Sequence, residues 1–309
     1  MKPVITVQIS EGLGNQMFMY SFAYSISKSL GYDLFIDNKS GYSRDKNLYR
    51  SHQKFMLNSF NIVGKLAPDE MIYNTSFKRF KKKFSIFLDN FKYKKKFLIE
   101  KQYKRGSDKI AEEFIHIDKS KISNNLYIQG NFENYKYFNH LRSDLCKILI
   151  PNSNLIKANN PLIYKIKNSN SISLHIRRNR FSDQFNLKKI NDFKKSENFT
   201  SNIIKYINNS LDIINSKVNN PEYFIWSNDH ENILPLLNKL NINNFTLVNN
   251  DVINDFNLFR YCKHFIVGPS SFHWWGAWLN ENPNKICIRP IDINPSNNEN
   301  FWPKDWFPI

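Results

Sequence analysis

The opening of the chain constrains its fold more than any other feature. Lys2 to Ser10 reads as a buried β-branched strand. The turn Glu11-Gly12-Leu13-Gly14-Asn15 leads into a helical pattern that runs to Leu30 and stops at Gly31, and Tyr32 to Asp37 returns to strand character. Strand, glycine turn, helix and strand in that order form a βαβ unit, from which doubly wound parallel sheets are built. The second half alternates in the same way. Strands are predicted at 171–176, 222–227, 245–249, 264–268 and 285–289, with helices near 199–215, 230–240, 252–261 and 272–280. Between the two lie residues 40–125, basic, aromatic and without clean alternation, which read as a mostly helical elaboration. The Asn-, Ser- and Pro-rich stretch 151–170 reads as a linker, giving domains at 1–150 and 151–309. The fold class is therefore α/β, with ligands expected at the carboxyl ends of the strands.

Composition narrows the function classes. Hydrophobic residues make up 41% and aromatics 15% of the 309 residues, enough to build packed cores. No apolar run approaches the roughly 18 residues of a membrane span, and the start MKPVITVQIS lacks the layout of a signal peptide, so a cytoplasmic location is expected. Cys146, Cys262 and Cys287 have neither disulfide-framework nor zinc-site spacing and read as small buried hydrophobes. The net charge of +17 favours polyanionic partners. Much of it lies in 78–105, where Lys/Arg clusters interleave with Phe, Ile and Leu. That pattern fits an interfacial helix at a membrane surface, and equally a solvated basic helix pair with a core-facing stripe.

Three loops after strand ends carry groups suited to a diphosphate or a base. His175-Ile176-Arg177-Arg178 sends two adjacent arginines out of a buried strand, which favours bidentate anionic partners such as phosphate over separate surface ion pairs. Trp226-Ser227-Asn228-Asp229 ends another strand, with Asp229 equally explained as a helix N-cap. Gly268-Pro269-Ser270-Ser271-Phe272 offers two hydroxyls and a helix start for phosphate and a phenyl ring for a nucleobase. Trp274, Trp275 and Trp278, which follow, read as helix core. The turn Gly12-Leu13-Gly14 lacks the third glycine of a dinucleotide fingerprint, and no Walker, HExxH or GxSxG motif occurs.

Five stretches, in order, resemble glycosyltransferase family 11, which includes bacterial α-1,2-fucosyltransferases. They are GLGNQMFMYSFAYSISKSLG (12–31), YIQGNFENYKYF (127–138), HIRR (175–178), DFNLFRYCKHFIVGPSSF (255–272) and SSFHWWGAWL (270–279). The resemblance implies a GT-B type fold of two Rossmann-like domains facing a cleft, the first on the acceptor side and the second holding GDP-fucose. It further implies inverting α-1,2 transfer to a galactoside in surface polysaccharide or O-antigen synthesis, such as that of lipopolysaccharide, without a metal or a cofactor beyond the donor. Arg178 becomes the principal pyrophosphate contact, with Arg177 and His175 orienting the same region. Ser270 and Ser271 approach the phosphates, Phe272 and Asp255 recognise guanine, and Asn15 and Gln16 line the site from the first domain. Glu11, Glu133 and Asp183 are open candidates for a general base.

One departure bears on the donor. The family pattern H-x-R-R-G-D reads His175-Ile176-Arg177-Arg178-Asn179-Arg180 here, so a positive charge replaces an aspartate. That substitution leaves open another GDP-deoxyhexose such as colitose, a rearranged site in which Asp183 substitutes, or lost activity. A second departure, Gly268-Pro269 where Ala/Gly-Asn is usual, alters the backbone beside the phosphate loop. Competing classes are a basic nucleic-acid-binding protein, which no RNA- or DNA-binding motif supports, and an inactive membrane-associated homologue. An oligosaccharide acceptor carried on lipid at the inner membrane would give the basic segment 78–105 a peripheral docking role.

Overall fold

The computed structural model describes residues 2–43, 54–101, 117–157, 160–177, 190–294, 296 and 298–309, with side chains in the helix from 190 described from residue 197. The chain forms two compact units, Met1–Leu149 with Ser296–Trp302, and Ile150–Pro295 with Pro303–Ile309.

The first unit contains β1 (Val4–Gln8), α1 (Leu13–Leu30), β2 (Asp33–Asp37), β3 (Lys65–Leu66), α2 (Ser76–Asp89), β4 (Lys95–Ile99), β5 (Ile122–Gln129) and α3 (Arg142–Ile148). Its five strands are all parallel, in the order β3-β2-β1-β5-β4. Alternation alone would leave one face of β1 wet, but Ile5, Thr6 and Val7 are all buried, as a sheet covered on both sides requires. Every residue of α1 from Leu13 to Ile26 is buried. Aromatic packing accounts for this, with Phe22 stacked on Phe132 at 3.8 Å and Phe18 5.8 Å from Phe301 of the returning C-terminal segment. Gly31 closes the helix at φ 71°, a left-handed conformation that glycine adopts without strain.

The expectation of a mostly helical 40–125 is corrected. Among the described residues α2 is its only α-helix, and β3, β4 and the start of β5 complete the sheet. The segment 78–105 is likewise not a helix pair, because Lys95–Ile99 is an edge strand. Lysine-bearing edge strands escape a reading based on hydrophobic alternation, since the charges that protect the edge also mask the pattern.

The second unit contains α4 (Pro161–Asn168), β6 (Asn170–Ile176), α5 (Ile190–Lys217), β7 (Pro221–Ser227), α6 (Leu234–Leu237), β8 (Phe245–Leu247), α7 (Val252–Phe259), β9 (His264–Ile266), α8 (Ser271–Leu279), β10 (Cys287–Arg289) and β11 (Phe307–Pro308). Its six strands are also all parallel, ordered β11-β10-β9-β6-β7-β8. Central β6 packs Ile172, Leu174 and Ile176 against Ile203, Ile207, Leu211 and Ile214, the helix-spaced stripe of α5. The presumed linker contains α4, capped by the Asn160 side chain with Pro161 at its first position. The helix expected over 230–240 shortens to Leu234–Leu237. Asp229 is not its cap, and instead accepts from Asn232 Nδ2 at 2.9 Å. All three cysteines are buried, and none is in a disulfide.

α8 and α7 pack so closely that a Cβ on Gly276 would lie 2.6 Å from Phe259 Cβ. Gly276→Ala is therefore expected to destabilise the second unit by about 1–3 kcal/mol. A denaturant titration followed by tryptophan fluorescence checks this, because Trp274, Trp275 and Trp278 lie on the same helix. An unchanged midpoint would show that the two helices can separate freely.

Candidate active site

Because β6, β7 and β9 run parallel and adjacent, their exits converge on one edge of the second sheet. His175 pairs in register with Trp226, and Ile176 with Ser227, while Leu174 pairs with Ile266. The chain leaving β9 crosses the end of β6 so closely that a Cβ on Gly268 would lie 2.4 Å from the His175 carbonyl oxygen. Glycine is required there by contact, not by its φ. Ser270 N–H then donates to Gly268 O at 2.7 Å, a tight turn that opens α8. Ser270 holds the N-cap position in extended conformation, yet its side chain does not cap the helix. A helix start with this arrangement suits an anion, since backbone amides and the helix dipole both point at it.

Beside that turn stands a carboxylate held by several donors. Asp255, in the first turn of α7, accepts at Oδ1 from Trp226 Nε1 (3.1 Å), Asn250 N (3.2 Å) and Asn250 Nδ2 (3.1 Å). Its Oδ2 has no hydrogen-bond partner among the described residues. Burial pushes the Asp255 pKa up, and the Asn250 and Trp226 hydrogen bonds oppose the shift. Phe272, partly exposed, lies 5.6 Å from the ring of Phe256, the residue after Asp255, and 5.2 Å from Phe259, so it forms an aromatic shelf backed by two buried rings.

Two buried histidines lock the edge. Gly268 N–H donates to His273 Nδ1 at 3.3 Å, which leaves the proton on Nε2 to reach Ser173 Oγ at 2.8 Å. His273 is fully buried, and burial holds its pKa well below the ordinary value. His175 lies 5.5 Å from it, ring to ring. Its pKa is pushed down to about 3 by burial first, then by the Arg177 and His230 charges. Both rings are held neutral at pH 7 by their burial.

A model of glycosyl transferase family 11 matches residues 4–307. The chain belongs to glycosyl transferase family 11. It is an enzyme of the glycosyltransferase type. Two Escherichia coli relatives are each 27% identical to it. One is the O-antigen biosynthesis glycosyltransferase WbnK, aligned over 94% of this chain and 95% of that protein. The other is an alpha-1,2-colitosyltransferase, over 93% and 91%. Among solved structures, the alpha-1,6-fucosyltransferase NodZ co-crystallised with GDP superposes with a TM-score of 0.51, at 13% identity over 94% of this chain and 96% of that chain. A mutant of Arabidopsis thaliana FUT1 in complex with GDP gives 0.50, at 9% identity over 95% and 72%. These likenesses identify the fold as GT-B type, built from two Rossmann-like units.

The second unit of this family 11 chain brings together His175, Arg177, Asp255, Ser270, Ser271 and Phe272. Arg178, Arg180 and Asp183 lie outside the described residues. Asn15 and Gln16 belong to the first unit, where both are buried. Gln16 donates to Glu11 O (2.9 Å) and Lys54 O (2.8 Å) and accepts from Met56 N–H (2.9 Å), so its amide pins the backbone at 54–56. Asn15 Nδ2 donates to the Glu11 carboxylate, and Glu11 itself sits at φ 63°, a left-handed conformation rare outside glycine. Glu133 is buried in the same unit. Among the described residues no group of three or more His, Cys, Asp and Glu is placed to hold a metal ion. Asn250 and His273 escaped the sequence reading, and Trp226 stood in one of the three loops it singled out without its partner Asp255 being foreseen. For Trp226 the available signal was an indole at the end of a buried strand, whose N–H needs a partner.

Stability should report the buried histidine. The folded pKa of His175 lies below its ordinary 6.5, so the unfolded chain binds more protons in between. Its contribution is fully present above pH 6.5 and is lost as pH falls toward 3, at up to about 1.4 kcal/mol per pH unit. Urea titrations at pH 7.5 and 5.5 should show a drop in midpoint that His175→Gln reduces. Equal drops in both proteins would mean that His175 is not held neutral by the fold.

Proposed function

We propose that this glycosyltransferase moves L-fucose from GDP-fucose to a galactoside hydroxyl with inversion, forming an α-1,2 linkage in O-antigen or related surface polysaccharide. The observation that carries this reading is the Asp255–Phe272 pair at the carboxyl edge of the second sheet. Guanine presents adjacent N–H donors on one edge and a π face, so Asp255 Oδ2 accepts from the edge while Phe272 stacks on the face. The diphosphate then lies toward the start of α8, against Ser270, Ser271 and the two arginines, and the acceptor is recognised by the first unit. Family membership over nearly the whole chain supports the reaction type. The relatives' names support O-antigen synthesis and α-1,2 linkage.

In the reaction the acceptor hydroxyl attacks the anomeric carbon as the bond to GDP breaks, through an oxocarbenium-like state. Arg177 and Arg178 stabilise the charge that develops on the leaving diphosphate, the largest electrostatic demand of the step. Neutral His175 keeps the first arginine's exit from β6 rigid without competing for the anion. No cofactor beyond the donor is called for. A second donor, GDP-colitose, is favoured by a specific observation: one relative is an alpha-1,2-colitosyltransferase, and Arg180 stands where the family pattern has aspartate.

Release of the nucleoside diphosphate measured across GDP-, UDP- and ADP-sugars, with and without β-galactosides, tests the reading. Turnover of a GDP-deoxyhexose stimulated by the galactoside is expected. Asp255→Asn, which turns an acceptor into a group with its own donors, should weaken GDP binding about 10-fold or more while leaving weak ADP binding unchanged. Unaltered GDP affinity in a folded Asp255→Asn protein would remove Asp255 from base recognition.

A further inference from the structure

Helix α2 is built with its polar face inward and its aromatic face outward. Thr75 caps its start by accepting from Lys78 N–H. On the inner side Lys82 is buried, donating to Gln129 Oε1 (2.6 Å) and Gln8 Oε1 (3.2 Å) and lying 4.0 Å from the Tyr127 ring centroid. About two turns further on, buried Asp89 accepts from the backbone N–H groups of Lys96 and Phe97 and ties the helix to β4. Arg79 bonds Ser43 Oγ and Asn74 O. These contacts fix the rotation of the helix about its axis.

Phe77, Phe80, Phe84, Phe87 and Phe91, spaced by three and four residues, therefore form a continuous stripe on the outer side, each between 58% and 77% exposed. Lys81 and Lys83 are exposed along its two margins, and Lys92, Lys94 and Lys96 are exposed just beyond its end. Isolated exposed apolar side chains are ordinary on any protein, but four phenylalanines on one helix face, continued by Phe91 just past its end, are not. We propose that this face is a membrane-docking surface whose partner is an anionic lipid bilayer. Phenyl rings enter the boundary between headgroups and acyl chains, and the flanking lysines reach lipid phosphates while their stems stay over the apolar layer. Charge complementarity selects the lipid, because lysine is depleted from protein–protein interface cores whereas a basic rim around an apolar stripe is what an acidic membrane surface attracts. The chain's net charge of +17 adds to that attraction.

Flotation of the full chain with phosphatidylcholine vesicles, plain or rich in phosphatidylglycerol, tests the proposal, and a GDP-binding measurement alongside keeps it separate from the enzymatic reading. The protein should float with the anionic vesicles, and less so as salt rises. The combined variant Phe80→Ser, Phe84→Ser, Phe87→Ser should bind them at least about 30-fold more weakly. Lys81→Glu with Lys83→Glu should lose the preference for anionic lipid. Both variants should keep the unfolding midpoint and GDP affinity of the parent, because each substituted side chain is exposed. Failure of the parent to bind anionic vesicles, equal binding by the serine variant, or a parent dimer that the serine variant dissociates without any vesicle binding would each overturn the proposal.

Discussion

The approach of Gly268 to the His175 carbonyl is the contact on which the second unit's working edge depends. It lets the chain leaving β9 fold across the end of β6, so that Ser270 opens α8 beside the strand from which the arginines emerge. The Gly268 N–H, turned inward by that approach, is satisfied by His273, which in turn engages Ser173 on β6. An unsatisfied amide in that position would cost about 1–3 kcal/mol. The histidine thus converts a costly backbone approach into a rigid one, and it does so as an uncharged ring.

Rigidity at this edge matters because diphosphate chemistry is mostly electrostatics. A site stabilises a leaving anion best when its dipoles and cations are already oriented and need not reorganise during the reaction. The same logic explains the three donors on Asp255 Oδ1. They fix the carboxylate in place through one oxygen, while Phe272 is braced by Phe256 and Phe259. The first unit shows a different use of buried polarity. Lys82 and Asp89 are spent on orienting one helix, and the consequence appears on its opposite face.

Much of this architecture was legible in the sequence, for identifiable reasons. The β-branched run before Glu11 and the helix stop at Gly31 locate β1, α1 and β2, and the regular alternation after residue 170 locates the strands of the second sheet. The strand exits at His175, Trp226 and Gly268 could be picked out because polar groups follow apolar runs there. What escaped did so because its signal is not local. β3 is two residues long and β4 carries lysines, so neither shows alternation. The bond between Trp226 and Asp255 joins residues 29 apart in sequence, and the return of Ser296–Trp302 to the first unit depends on where Phe301 meets Phe18. Periodicity identified an apolar stripe in 78–105 but could not say which way it faces. Lys82 decides that, through partners on β1 and β5.

On the proposed function, a guanine nucleotide occupies the carboxyl edge of the second sheet, toward the starts of α8 and α7. Amide hydrogen exchange of the full chain with and without saturating GDP tests it most directly. Slowed exchange is expected in peptides covering 250–256 and 267–273. GDP binding that leaves both segments unprotected while slowing exchange elsewhere would contradict it.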